Sequence, residues 1–330
     1  MLTALLLASI ALSGCSSRED PDLVIYSGRS ESLVGSIIEG FEKSSGLNVQ
    51  VRYGDSAEMA AQLLEEGDRT PADVFFSQDA GALGALTDAG SLAGLPQATL
   101  AAVPSNYRAD GGEWVGITGR VRVLAYDPDQ VSADELPDDV LQFADPRWRG
   151  KIAIAPANAS FQTFVTALRV IEGDAVTEKF LRALIANEAV LYENNLTMLD
   201  GLEAGEVAVG LTNHYYLHEL AEEVGAGNVR TRLKFLPPGT AGALVNVAGV
   251  GVLAASENTA PAQEFVDYLL NAQTQADFVD VTGEYPLVAG VAAPVGLPSL
   301  EELGGGAGID LGQLDGLEQT IELLAKVGLI

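Results

Sequence analysis

Leu23-Val24-Ile25-Tyr26-Ser27-Gly28 opens the stretch that decides the fold, and Val74-Phe75-Phe76 closes it. The first four residues are apolar and β-favouring, and Ser-Gly stops them. Leu33, Ile37, Ile38 and Phe41 then recur at three-to-four spacing, the period of an amphipathic helix, and Gly46 punctuates its end. Val49-Gln50-Val51-Arg52-Tyr53 alternates as a strand does. Ser56 is placed to cap a second helix with Met59, Leu63 and Leu64 on one face. Pro71 precedes a third strand over 72–76, and a Gly- and Ala-rich helix begins near Ala80. Strands separated by single helices form βαβ units, so the predicted class is α/β with a mostly parallel sheet.

The alternation continues beyond this stretch. Strands are predicted over 121–126, 152–155 and 207–211, with helices over 161–170 and 215–224. An acidic loop occupies 134–139. The apolar, Gly-containing run at 243–253 reads as a strand covered on both faces. Helices follow near 261–270 and 314–327, the latter after Gly304-Gly305-Gly306. No solenoid-type repeat interrupts the pattern.

The chain has 330 residues, 18 Lys+Arg against 46 Asp+Glu, and a formal charge of −28. Apolar residues make up 48%, enough to bury two domain cores. So negative a chain is repelled by phosphate backbones, which excludes nucleic acid and a basic membrane-surface patch. The apolar run at 2–12 is too short to span a bilayer as a helix and reads as the core of an export signal. The charged leader such signals carry is missing, so a start upstream of Met1 is expected. Leu12-Ser13-Gly14-Cys15 resembles the lipobox of bacterial lipoproteins, which predicts cleavage before Cys15, its lipidation, and a polar tether over 16–21. Cys15 is the only cysteine, so no intrachain disulfide and no Cys nucleophile is available.

No G-x-S-x-G, Walker A, C-x-x-C or H-E-x-x-H motif occurs. His214 and His218 are four apart, one helix face, which fits a metal pair or two exposed surface histidines. Asn213-His214-Tyr215-Tyr216 is more telling. Neighbouring side chains cooperate at a helix start but diverge on a strand. Phenolate at neutral pH needs a strong cation, and a hard ion such as Fe³⁺ suits it. Taken alone, the pair also fits two packing aromatics.

The wider set of motifs resembles the ferric-iron-binding proteins of ABC importers, within the two-lobed extracellular solute-binding proteins. It is carried in order by Tyr26-Ser27-Gly28-Arg29, Thr70-Pro71-Ala72-Asp73-Val74-Phe75 and Gly119-Arg120-Val121-Arg122-Val123. Pro146-Arg147-Trp148-Arg149-Gly150-Lys151-Ile152, Asn213-His214-Tyr215-Tyr216 and Gly283-Glu284-Tyr285-Pro286-Leu287 complete it. The resemblance implies a two-lobed periplasmic-binding-protein-like fold with a mixed sheet and flanking helices in each lobe. It implies one lobe over 22–117 plus 250–287, and a second over 118–249 plus 288–330.

It further implies ferric iron in the cleft with Tyr215 and Tyr216 as ligands. Members add a His where this chain has Ser30, a Glu where it has Gln78, or a third Tyr whose counterpart is Phe161. An exogenous anion (carbonate, phosphate or citrate) would complete the shell. Arg120 would hold it, with Arg29 a second candidate, and Asn158, Asn195 and Asn213 as further donors. Trp148 and Tyr285 are expected to be structural anchors, and Asp73 and Glu284 solvated or capping carboxylates. The resemblance thus implies an exported, lipid-anchored, monomeric binding protein that delivers iron to an ABC permease and performs no covalent chemistry. Rival readings keep the fold for an organic anion, phosphonate or small oxyanion, or make the chain a transferase-type enzyme.

Overall fold

The computed structural model describes residues 20–305, 311, 314 and 316–330. The opening stretch forms β1 (Leu23–Ser27), α1 (Glu31–Ser45), β2 (Val49–Tyr53), α2 (Ser56–Glu66), β3 (Val74–Ser77), α3 (Ala80–Asp88) and the single turn α4 (Gln97–Leu100). β1 pairs in parallel with both β2 and β3, and all five of its residues are buried. Gly46 ends α1 in the left-handed conformation at φ 75°, which only glycine adopts without cost. Ser56 is not the cap it was expected to be. Asp55 caps α2 by accepting from the Ala57 N–H at 2.8 Å, which frees Ser56 Oγ to donate to the Gly28 carbonyl and accept from the Gln78 N–H.

β4 (Trp114–Tyr126) is the organising strand and is seven residues longer at its start than the sequence pattern predicts. Gly116 and Gly119 hide that start. At Gly116 a Cβ would lie 2.6 Å from the Tyr107 carbonyl oxygen, so the position requires glycine despite its poor strand propensity. A bulge near Ile117 shifts the register, and the Ile117 carbonyl accepts from Gln275 Nε2 at 2.9 Å.

The chain continues through β5 (Ile152–Ile154), α5 (Ala159–Glu172), α6 (Asp174–Ala186), β6 (Val190–Leu191), α7 (Asn195–Glu203), β7 (Val209–Asn213) and α8 (Tyr215–Val224). Then follow β8 (Arg232–Phe235), β9 (Val245–Val252), α9 (Thr259–Leu269), α10 (Ala272–Thr282), β10 (Tyr285–Pro286) and α11 (Leu317–Val327). The strand order is β2-β1-β3-β9-β4-β7-β5-β6, with β10 and β8 also on β4. β4 belongs to two sheets in turn. Its residues up to Val121 pair with β9, and its residues from Arg122 onward pair with β7 and β8. The molecule is a two-lobed mixed α/β fold, and β4 carries the chain from one sheet to the other.

β9 is buried at all eight positions, as its apolar run predicts. α11 packs on α5, where the Thr166 and Thr320 hydroxyls lie 2.8 Å apart and Arg169 donates to the Gly316 carbonyl. Among the described residues no helix is long and apolar enough to cross a membrane. Cys15, the signal segment and most of the tether lie outside the described residues.

Candidate functional site

The site lies where β4 changes sheets. Arg120 on β4 is opposite Asn246 on β9, and two residues later Arg122 is opposite Asn213 at the end of β7. β7 turns at His214 directly into α8, so Tyr215 and Tyr216 occupy its first turn. There their rings stack, with centroids 4.2 Å apart and planes 30° from parallel. Both line a cavity of about 110 Å³, enough for a metal ion with a small oxyanion. Burial raises the Tyr215 phenol well above its ordinary value, and the neighbouring Tyr216 adds to the shift. Tyr215 is therefore protonated until a strong cation arrives.

His214 fixes this corner. It is buried, its Nδ1 accepts from the Val121 N–H at 3.1 Å, and its Nε2 lies 2.9 Å from the Gly283 carbonyl. A neutral ring protonated on Nε2 satisfies both contacts. Burial lowers its pKa to about 4, so it stays neutral. His214 is thus a core histidine and not an exposed one, and His218 is half-buried beside Gly283. Neither lines the cavity.

The arginines divide by role. Arg120 lines the cavity, and one of its terminal nitrogens donates to the Gln78 carbonyl. Its Nε is buried without a hydrogen-bond partner and sits 4.0 Å from Glu284. Arg122 lies just behind Asn213. It donates to the Leu211 carbonyl at 2.6 Å and to Ser160, and stands over the Phe161 and Phe164 rings. No carboxylate pairs with it among the described residues. Burial pushes its pKa down to about 9, while Tyr216 and Tyr215 hold it up, so it stays cationic at neutral pH.

Arg29 corrects an expectation. It does not reach the cavity: it is fully buried, donating to Thr118 Oγ1 at 3.0 Å and to Glu284 Oε2 at 2.9 Å. Glu284 is therefore neither solvated nor a cap but the counter-ion of Arg29, and these opposite charges hold its carboxyl below the usual range. Asp73 is likewise neither solvated nor a helix cap: it is buried and accepts from the Val24 N–H of β1 at 2.8 Å and from the Ser256 hydroxyl.

Asn158 caps α5 and lines the cavity; its Oδ1 accepts from Ser160 and from Asn195 Nδ2. Asn195 is fully buried behind it and positions it without lining the cavity. Asn213 and Gln78 both line it, and Gln78 Oε1 is buried without a partner. Ser30 also departs from expectation. It is exposed at the start of α1, its Oγ meets Ser32 Oγ, and it does not line the cavity. Phe161 is core, tilted against Phe164, and Trp148 is core too, edge-to-face with Phe143. Tyr285 is buried against His214.

The structure adds Asp79, Ser160, Thr163 and Asn246 to the lining. Asp79 was legible only as the residue after Gln78. Among the described residues no group of three or more His, Cys, Asp and Glu could hold a metal.

A family of bacterial extracellular solute-binding proteins matches residues 69–302. The chain is 33% identical over 322 residues to the Fe(3+)-binding periplasmic protein of Serratia marcescens, covering 97% of this chain and 94% of that one. Iron-bound HitA from Pseudomonas aeruginosa superposes with a TM-score of 0.84 at 33% identity, over 93% of this chain and 99% of the other. A Trichodesmium protein (IdiA, FutA) in complex with iron and citrate superposes with a TM-score of 0.80 at 28% identity, over 93% and 99%.

Proposed function

We propose that this chain, which belongs to the bacterial extracellular solute-binding proteins, captures ferric iron in its interlobe cavity and hands it to an ABC permease. The observation that carries this reading is the stacked Tyr215–Tyr216 pair sharing one small cavity with Arg120. The iron-binding names of the relatives from Serratia and Pseudomonas support it.

The chemistry follows from charge. A ferric ion ionises both phenols and retains one positive charge, with coordination positions open. Arg120 and Arg122 place two more positive charges beside it, so an oxyanion (carbonate, phosphate or citrate) belongs in the shell. Arg120 would hold it through a planar fork, with Ser160 and the start of α5 as donors. Asn158 and Asn213 would add side-chain amides, Asn195 would orient Asn158, and Gln78 Oε1 would accept a hydrogen bond from a bound hydroxyl or water. The Trichodesmium complex, with iron and citrate, lends weight to an anion in this role.

Lobe one would span 22–117 plus 250–287 and lobe two 118–249 plus 288–330, closing about β4. No covalent step is involved, and the monomer would be held at the membrane by lipid on Cys15. A second reading, an organic anion, phosphonate or small oxyanion alone, draws on the same arginines and on Ser30, Gln78 and Phe161, where other iron ligands are missing.

The test is a visible absorption titration with chelated Fe³⁺ in carbonate, phosphate and citrate in turn. A tyrosinate-to-iron charge-transfer band saturating at one iron per protein is expected. Absence of the band in every anion, with oxyanion binding retained, would replace iron by the second reading.

A further inference from the structure

Two protein ligands on one helix leave a mechanical gap. Tyr215 and Tyr216 both come from the α8 side, the sheet of β7. An ion held only there gains nothing when the other lobe approaches, yet closure needs a ligand that interacts differently with the two states. The opposite wall of the cavity is formed by Gln78 and Asp79, between β3 and α3. Of the side chains lining the cavity, only Asp79, Tyr215 and Tyr216 can carry negative charge.

Resting on the ferric reading, we propose that Asp79 is a third protein ligand and the one that couples iron to lobe closure. Asp79 Oδ1 caps α3, accepting from the Ala82 N–H at 3.0 Å. Oδ2 has no hydrogen-bond partner among the described residues, so the carboxylate has an uncommitted oxygen beside the cavity. Its backbone is anchored: Ser77 Oγ accepts from the Asp79 N–H and donates to its carbonyl. Arg120 is tied to the adjoining Gln78 carbonyl, which fixes this wall against the strand that joins the lobes. A hard trivalent ion prefers such an anionic oxygen to the neutral amide of Gln78.

Asp79→Asn tests this, because asparagine caps a helix as well as aspartate but brings no charge. The protein and the variant are compared by ferric titration, by small-angle scattering with and without iron, and by thermal unfolding. The variant should unfold as the parent does and keep a tyrosinate band. Its ferric affinity should fall by about tenfold or more, and its iron-induced compaction should shrink or vanish. Asp79→Ser, which also caps, should behave alike if asparagine disturbs the fold. Parental affinity and compaction in either folded variant would overturn the assignment of Asp79 while leaving the ferric reading intact. No band in the parent protein would instead remove both.

Discussion

Arg29 and Arg122 are buried to a similar degree, yet among the described residues one has a carboxylate partner and the other has none. Arg29 sits against Glu284 at 2.9 Å, with Thr118 completing the cluster. Among the described residues Arg122 meets only carbonyls, Ser160, Asn213 and two aromatic faces, a short distance behind the tyrosine pair. A buried cation costs free energy unless something anionic answers it. For Arg29 the answer is built into the fold, so the pair is architecture. On the ferric reading the anionic partner of Arg122 would be conditional, supplied by Tyr215 and Tyr216 when iron ionises them. The comparison separates charge that holds the lobes' junction from charge that prepares a binding site.

The largest effect expected is from Glu284→Gln. Removing one partner of a fully buried pair leaves Arg29 uncompensated, at a cost of about 3–5 kcal/mol. Thermal unfolding should shift down markedly, and an unchanged midpoint would mean that the cluster is not structural. Next comes Arg122→Met, which removes the unanswered cation and retains the packing on Phe161 and Phe164. Stability should hold or rise, while ferric affinity falls about tenfold, or about 1.4 kcal/mol. Lost stability with intact iron binding would put Arg122 in the same class as Arg29.

The smallest effect sharpens the reach of Glu284. Burial and the Glu284 charge push Glu219 on α8 up to about 7. A folded pKa above the unfolded one means that Glu219 favours the fold at pH below about 4.5 and loses that contribution as pH rises through 7. Because the side chain is partly exposed, we expect about 1 kcal/mol. Glu219→Gln should therefore stabilise the protein at pH 8 and leave pH 4 unchanged. Equal midpoints at both pH values would show that Glu219 feels neither burial nor Glu284.

Much of this architecture was legible in the sequence where apolar period was strong. β1, α1, β2 and β9 follow directly from runs such as Leu23–Tyr26 and the spacing of Leu33, Ile37, Ile38 and Phe41. α10 was not read, because its buried face is polar: Thr274, Gln275 and Thr282 lie inward with Phe278. The first half of β4 was hidden by glycines required for close approach. α6 and α7 likewise escaped the reading, α7 being marked chiefly by its Asn194 capping box. At the site, Tyr215, Tyr216, Arg120, Asn158, Asn213 and Gln78 were named from motifs, and the structure gathers them around one cavity. Arg29 and Ser30 were misplaced because adjacency in a motif does not say which way a side chain points. Ionic partners 255 residues apart, such as Arg29 and Glu284, leave no local signature.

The central claim is that the two phenols hold iron, and single-hydroxyl deletions address it most directly. Tyr215→Phe and Tyr216→Phe would each be titrated with chelated Fe³⁺ beside the parent, following the charge-transfer band and thermal unfolding together. The account predicts a weakened or absent band and ferric affinity at least about a hundredfold lower, in proteins that unfold like the parent. Parental band intensity and affinity in both variants would contradict it.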